Sequence, residues 1–410
     1  MAGRADHRDG KIHRNKGIVD WHTNKAYNSW CSTRVPPLNR AYQTMDQLII
    51  SADSHVFEPQ DLWINALGKR FGDKVPHGVK NFEGHEGSFF YLGRPGEAAR
   101  MDELVAADSK DRRLEDLSKA GSDPVYRLQL MDSDHIAAEV LNPTWGLWIP
   151  RMPDNAARNA CAEVYNDWIQ EYCSQDLKRL LAIAMIPIVD VDWAIKELDR
   201  VIKRGARGVM IGTSPVDDAA PYRDRKYDRF WAAAEEAGLP VTLHIVTGKV
   251  RDPFTYHGDK ERENVPASFL DLFQEAAPVL ANEFIFGGIF DRFPRLKVFL
   301  SEYDASWLPI LKYRVNRIET FPGFDNLKKK PAGRYIEENI YAGVINDPLA
   351  AKLRTEIGVD RIMWGSDFPH PPCPYPNTTQ NVERVLGDMS PEDRFKVVAG
   401  NAMKLYNIEL

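Results

Sequence analysis

Residues 180–245 alternate short apolar runs with longer amphipathic segments: LLAIAMIPI (180–188), VDWAIKELDRVIKRGA (191–206), RGVMIG (207–212), YDRFWAAAEEAGL (227–239) and PVTLHI (240–245). The short runs are typical of buried strands, and the longer ones have helical periodicity. Asp190 or Asp192 stands where a helix N-cap is expected, and Gly205 and Gly238 stand where C-caps are expected. Strands that alternate with helices predict a parallel α/β sheet.

The same alternation extends along the chain from Leu48, with further units at 296–302, 335–343 and 360–367. No internal repeat or low-complexity linker divides these units, which favours one barrel over two domains. We therefore predict an α/β fold, a (β/α)8 TIM barrel formed by residues 47–410. The charged segment 249–273, which follows the PVTLHI strand, is predicted to be a lid insertion.

Residues 1–46 show neither helical nor strand periodicity and are predicted to form an irregular N-terminal arm. The arm contains Trp21 and Trp30, and two exposed tryptophans are unusual in a free tail. We expect the arm to cross onto another subunit, so the chain should be a homo-oligomer, a dimer or larger. A hetero-oligomer with a related chain is the alternative.

Composition excludes several classes of protein. The chain is 43% apolar and 27% charged, and its net charge is −6, without the basic, aromatic-rich tract of a nucleic-acid-binding protein. Four cysteines share no C-x-x-C spacing, which argues against a zinc ribbon and a disulfide framework. No secretory leader or membrane-length apolar run is present. We expect a cytoplasmic protein that acts on a small molecule and contacts neither nucleic acid nor membrane.

Ionisable residues recur where the predicted strands end. They are Asp53, His55, His244, Glu302 and Asp367. The active site of a (β/α)8 barrel lies at the C-terminal ends of its strands, and residues i and i+2 of a strand face the same way. Asp53 and His55 can therefore share one metal ion. Imidazole with carboxylate suits Zn²⁺, Mn²⁺ or Fe²⁺.

Each of these residues also has a structural interpretation. Asp53 could form a turn, His244 could be a core histidine, and Glu302 could pair with Arg314. Asp367, which precedes Phe368-Pro369, could be a turn former and nothing more. Their coincidence at successive strand ends favours the metal site.

Six stretches resemble the amidohydrolase-related family (amidohydrolase family 2), which includes metal-dependent decarboxylases: DSHVFEPQDLW (53–63), NPTWGLW (142–148), YDRFWAAAEEAGLPVTLH (227–244), FGGIFDRFPRLKVFLSEYDASWLP (286–309), WGSDFPHP (364–371) and GNAMKLY (400–406). The resemblance implies a (β/α)8 barrel with one divalent metal, usually zinc and sometimes manganese. It implies that Asp53, His55, His244 and Asp367 are the ligands.

Two positions depart from the family's pattern. Many decarboxylases of that family have histidine at the position of Asp53, and they have a proton-handling histidine at the position of Glu302. We therefore expect hydrolysis of a small amide, ester or cyclic carbonyl by metal-activated water. Glu302 and Asp367 would orient the water and move its proton. The metal would be zinc, with manganese or iron as alternatives.

Other functions stay open. They are a non-oxidative decarboxylase of an aromatic or unsaturated acid, an oxygen-using enzyme with a dinuclear iron or manganese site recruited by Glu302, and a structural subunit of a hetero-oligomer. Asn142, Trp145 and His370 are the predicted substrate contacts, because each stands close to a predicted strand end.

Overall fold

The computed structural model describes residues 48–101, 112–249, 255–256, 266–323 and 328–410. The predicted arm, residues 1–46, lies outside the described residues, and so does most of the first half of the predicted lid. The subunit-crossing role of the arm and the domain boundary at residue 47 therefore stay predictions. Across the described ranges, no helix is both long and apolar enough to cross a membrane.

Eight parallel strands form one sheet. These strands are Ile49–Val56 (β1), Ile136–Pro143 (β5), Leu180–Met185 (β6), Gly208–Ile211 (β7), Val241–His244 (β8), Val298–Ser301 (β10), Ile340–Val344 (β11) and Ile362–Trp364 (β12). Strand order follows chain order, as in a barrel built from successive strand–helix units. The predicted fold class is confirmed.

The barrel closes between β1 and the segment that follows β12. The backbone N–H groups of Ser366 and Asp367 donate to the carbonyl oxygen of Asp53 at 3.1 and 2.9 Å, and the N–H of His55 donates to the carbonyl of Phe368 at 2.6 Å. Closure therefore takes place at the residues that the sequence singled out as metal ligands. Their relative positions are fixed by the main chain.

Helices connect the strands and cover the outside of the sheet. Their bounds are Leu62–Phe71, Arg112–Ser122, Pro124–Ser133, Asn155–Cys173, Val191–Lys203, Asp228–Ala237, Pro266–Gln274, Ala276–Val279, Ile289–Arg292, Leu308–Ile318, Ala332–Asn339, Pro348–Lys352, Arg354–Ile357, Thr378–Leu386, Pro391–Phe395 and Asn401–Tyr406. Asp190 caps the helix Val191–Lys203 by accepting from the N–H of Trp193. Gly238 ends the helix Asp228–Ala237 with φ 65°, a conformation that glycine adopts at little cost.

A small antiparallel sheet, absent from the sequence prediction, combines three strands from the segment between β1 and β5 with one strand from the segment between β8 and β10. It consists of β2 (His77–Phe82), β3 (His85–Tyr91), β4 (Ala98–Arg100) and β9 (Thr255–Tyr256), in that order. β9 belongs to the predicted lid, and it pairs with β4 through Ala98 and Ala99. The described part of that segment is thus tied to this sheet, while its action as a lid stays a prediction.

Candidate metal centre

Four strand ends deliver ionisable side chains to one point. Asp53 and His55 lie on β1, and His244 is the last residue of β8. Pairing of β8 with β10 aligns His244 with Ser301, so Glu302 follows directly at the same level. Asp367 comes three residues after β12. Parallel strands end together, which is why residues far apart in sequence meet here.

The ligand atoms of Asp53, His55, His244 and Glu302 all lie within 4.8 Å of one another. From His55 Nε2 the distances are 2.8 Å to Glu302 Oε1, 3.2 Å to His244 Nε2, 3.5 Å to Asp367 Oδ1 and 3.8 Å to Asp53 Oδ1. From His244 Nε2 they are 3.4 Å to Glu302 Oε1 and 3.8 Å to Asp53 Oδ1. The structure therefore brings Asp53, His55 and His244 together with Glu302, while Asp367 groups with His55, Glu302 and His370.

Hydrogen bonds on the far side of each imidazole fix its tautomer. His55 Nδ1 lies 2.7 Å from the carbonyl oxygen of Pro143, and His244 Nδ1 lies 3.0 Å from that of Ile245. A carbonyl oxygen can only accept, so each Nδ1 carries hydrogen. In the neutral rings both Nε2 lone pairs then point into the cluster, the orientation of a metal-binding histidine.

The cluster is made of acceptors. Two carboxylates and two imidazole lone pairs face each other, and Asp53 Oδ2 is buried without a hydrogen-bond partner. Such an arrangement is repulsive unless a cation or protons fill it. The donor set fits a divalent cation bound by nitrogen and oxygen ligands.

The pKa values describe the cluster when protons take the place of a cation. Burial raises the pKa of the Asp53 carboxyl and places that of Asp367 well above its usual range. Burial alone would lower the pKa of His244, but Glu302 and Asp53 raise it to about 9. Burial also opposes ionisation of Glu302, yet His244 and His55 hold its pKa well below the usual range. Protons and a cation therefore compete for this site.

Two of the carboxylates stand on strained backbone. Glu302 has φ 63° and Asp367 has φ 57°, both in the left-handed region that non-glycine residues rarely adopt. Each such residue costs on the order of 1–3 kcal/mol, and strain of this kind is concentrated at functional sites. The strain is consistent with a requirement to aim these two side chains inward.

A polar layer that the sequence analysis missed lies beneath the ligands. Ser54 donates to Glu139 at 3.1 Å, and the guanidinium of Arg127 donates to Glu139 at 2.5 Å. Arg127 also donates to the carbonyl oxygens of His55 at 2.6 Å and Phe368 at 3.3 Å. It thus holds both chain segments that close the barrel. No motif marks Arg127, which lies within an ordinary helix.

The predicted substrate contacts occupy different environments. Asn142 donates to Asp53 Oδ1 at 2.9 Å, and His370 lies between Asp367 Oδ1 at 2.6 Å and Thr144 Oγ1 at 3.0 Å. The buried ring of Trp145 stacks on Phe90 with centroids 4.7 Å apart, which is a packing contact. The contact of these residues with a substrate stays a prediction.

Glu58 is a buried carboxyl that the sequence did not mark as functional, and it contacts Thr144, the neighbour of His370. It accepts from the backbone N–H groups of Thr144, Trp145 and Gly146 at 3.2, 3.0 and 2.9 Å. Burial raises its pKa from 4.5 to about 7, although the three hydrogen bonds act in the opposite direction. Because the folded state disfavours the charged form, the contribution of Glu58 to stability is complete below its unfolded pKa of 4.5. That contribution is lost as the pH rises through about 7.

The stability of Glu58→Gln should therefore increase relative to that of the wild type as the pH rises. Between pH 5 and pH 8 the difference in unfolding free energy should shift by about 3 kcal/mol in favour of the variant. Denaturant unfolding of both chains across this range measures the shift. Glu392→Gln, at a side chain that is 82% exposed, is the control and should show no shift. A Glu58→Gln difference that does not vary with pH would contradict the prediction.

Comparison with known proteins gives three findings. A family model described as Amidohydrolase matches residues 151–408. Gamma-resorcylate decarboxylase of Polaromonas sp. (strain JS666) is 27% identical over 299 residues, which cover 69% of this chain and 86% of the relative. Decarboxylase orsB of Emericella nidulans is 26% identical over 259 residues, which cover 59% of this chain and 73% of the relative.

The fold is also found in a solved structure, that of a dihydroxybenzoic acid decarboxylase from Polaromonas sp. JS666 with bound manganese and the inhibitor 2-nitroresorcinol. The two structures align with a TM-score of 0.62 and 21% identity, covering 88% of this chain and 97% of that chain. At this level of identity the likeness shows the shared fold.

The expectation of hydrolysis is wrong, because both sequence relatives are decarboxylases and the alternative of non-oxidative decarboxylation agrees with them. The carboxylates at Asp53 and Glu302 therefore do not indicate hydrolysis. The match over residues 151–408, more than half of the chain, shows that the protein belongs to the amidohydrolase family.

Proposed function

We propose that the chain is a metal-dependent, non-oxidative decarboxylase of a small aromatic or unsaturated carboxylic acid. The observation that carries the proposal is the convergence of buried acceptors at the barrel mouth, in a chain whose relatives are decarboxylases. Asp53, His55 and His244 would hold the cation, and Asp367 lies within reach of the same point.

The metal is a divalent ion, for which manganese is favoured over the zinc expected from sequence. Manganese is bound in the dihydroxybenzoic acid decarboxylase of similar fold. Carboxylates contribute three of the five candidate ligands, and oxygen-rich donor sets suit manganese. When bound, such an ion acts as a Lewis acid that holds and polarises the oxygens of an acidic substrate.

Decarboxylation breaks one carbon–carbon bond and forms one carbon–hydrogen bond. Carbon dioxide leaves, the electron pair stays on the substrate carbon, and a proton must reach that carbon. Asp367 and His370 are suited to deliver it, because Asp367 Oδ1 and His370 Nδ1 share a hydrogen bond of 2.6 Å beside the ligands. Thr144, which lies 3.0 Å from His370 Nε2, keeps the ring in place. The catalytic role predicted for Asp367 is retained in this proposal.

Carbon dioxide release without oxygen tests the proposed function. The manganese-loaded chain, incubated anaerobically with gamma-resorcylate and other hydroxybenzoates, should release one carbon dioxide per product molecule. In deuterium oxide the product should carry deuterium at the carbon that lost the carboxylate. Matched amides and esters serve as the control and should not be hydrolysed. Turnover that needs oxygen, with close to two metal ions per chain, would instead support the dinuclear oxygen-using alternative.

A further inference from the structure

Glu302 lies closer to both imidazoles than any other described carboxylate that pairs with them. Its Oε1 is 2.8 Å from His55 Nε2 and 3.4 Å from His244 Nε2, whereas Asp53 Oδ1 is 3.8 Å from each. Asp367 is 3.5 Å from His55 and is also bonded to His370. Among these three carboxylates, Glu302 is thus the one that lies closest to both nitrogen donors.

These separations are compatible with atoms that share one ion. Ligands at about 2.0–2.2 Å from a metal, with angles between 90° and 120°, lie roughly 2.8–3.8 Å apart. In the group formed by Asp53, His55, His244 and Glu302, all five distances that involve an imidazole nitrogen lie within that window. A general base that acted through a bound water would stand farther from the nitrogen donors.

The charged groups that surround Glu302 favour a role as a ligand over a structural ion pair. Among the described residues, its ion-pair partners are the imidazoles of His55 and His244, and no arginine or lysine side chain pairs with it. Its left-handed backbone, with φ 63°, directs the side chain from the end of β10 into the cluster. The partnerless, buried Asp53 Oδ2 independently indicates that this cluster is built for a cation.

We infer that Glu302 is a direct metal ligand, which completes a set of four with Asp53, His55 and His244. Asp367 lies beside this set, 3.5 Å from His55 Nε2, and its hydrogen bond to His370 suits it to proton transfer. This inference rests on the proposed metal dependence and deepens it. It adds an oxygen donor to the coordination sphere and removes Glu302 from the candidates for general base.

Manganese binding to the full-length chain tests the assignment. Free Mn²⁺ gives a sharp six-line paramagnetic resonance spectrum that broadens when the ion binds, so titration reports affinity and stoichiometry without an activity assay. Glu302→Gln should weaken binding by about 100-fold or more, since loss of a supporting residue alone costs about 10–100-fold. Glu302→His, which replaces the carboxylate by another donor, should recover part of that loss.

Asp304→Asn is the matched control. Asp304 lies two residues farther along the same turn, also has a left-handed backbone with φ 55°, and belongs to neither group of candidate ligands. Its replacement should leave manganese affinity within about threefold of the wild type. Circular dichroism establishes that each variant is folded before titration. Equal affinity of Glu302→Gln and the wild type would overturn the inference.

A crystal structure of the manganese-loaded wild type gives a second test that needs no variant. A Glu302 carboxylate oxygen should lie about 2.2 Å from the ion. A separation above about 3 Å, or a water between them, would show that Glu302 is not a ligand. If the wild type binds no divalent ion at all, the proposed metal dependence fails. If it binds manganese without Glu302, only the present inference fails.

Discussion

His55→Ala should lose most of its bound divalent metal and, with it, decarboxylase activity. His55 Nε2 lies between 2.8 and 3.8 Å from the candidate ligand atoms of Asp53, His244, Glu302 and Asp367, so its removal opens the centre of the site. We expect manganese affinity to fall by more than about 100-fold. Metal analysis after gel filtration and manganese titration measure the loss.

The control for this variant is His77→Ala. Like His55, His77 has its Nδ1 hydrogen-bonded to a backbone carbonyl, that of Val75 at 2.8 Å. It lies on β2 of the antiparallel sheet, away from the candidate ligands. Its replacement should leave the metal content unchanged. If His55→Ala keeps a full complement of tightly bound metal, the centre described above is not the metal site.

The barrel could be predicted because the periodicity and capping residues of each segment indicate the same strand or helix that the packed structure contains. The strands at 180–185, 208–211 and 241–244 and the helices between them follow the period of the apolar residues, and capping residues mark their ends. Asp53, His55 and His244 could be found from the rule that barrel strands end at the active site. Each of these observations depends on residues that are neighbours in sequence.

The antiparallel sheet could not be predicted, because β9 is two residues long and gains its partner from a strand more than 150 residues earlier. The roles that we infer for Glu302 and Asp367 could not be predicted from the sequence either. Both follow strand ends, and the choice between ligand and proton carrier depends on distances of 2.8 and 3.5 Å to the same imidazole nitrogen. The reaction was predicted wrongly for a related reason. A carboxylate in place of a histidine suggests a change of reaction, whereas the distances from Glu302 to both imidazoles support the inference that it is a ligand.

Arg127 illustrates a different kind of gap. A buried arginine is recognisable only from what surrounds it, and its partners come from β1, β5 and the segment after β12. The charge is balanced by Glu139, and the remaining donors reach the carbonyls of His55 and Phe368. Glu139 and Arg127 are both almost completely buried, with 2% and 0% of the side chain exposed. Because the pair is so deeply buried, removing one partner should have a large effect on the stability of the fold.

Arg127→Met should destabilise the fold by about 3–5 kcal/mol, because it leaves the carboxylate of Glu139 buried without a charged partner. It should also weaken manganese binding, since the carbonyl of His55 loses the donor that holds the segment between the ligands. Arg179→Met is the matched control. Arg179 is as deeply buried and donates to the carbonyls of Ala137 and Ile136, but its carboxylate partner is half exposed.

Arg179 lies at the start of β5 and β6, the end of the barrel opposite to the metal centre, so its replacement should cost less stability and leave manganese affinity unchanged. The double variant Arg127→Met/Glu139→Leu separates the two effects of Arg127. Removing both charges should restore part of the stability, because no unpaired charge is left in the core. Manganese affinity should stay low, because the His55 carbonyl still lacks its donor. Recovery of metal affinity together with stability would show that Arg127 serves the fold alone and does not position the ligands.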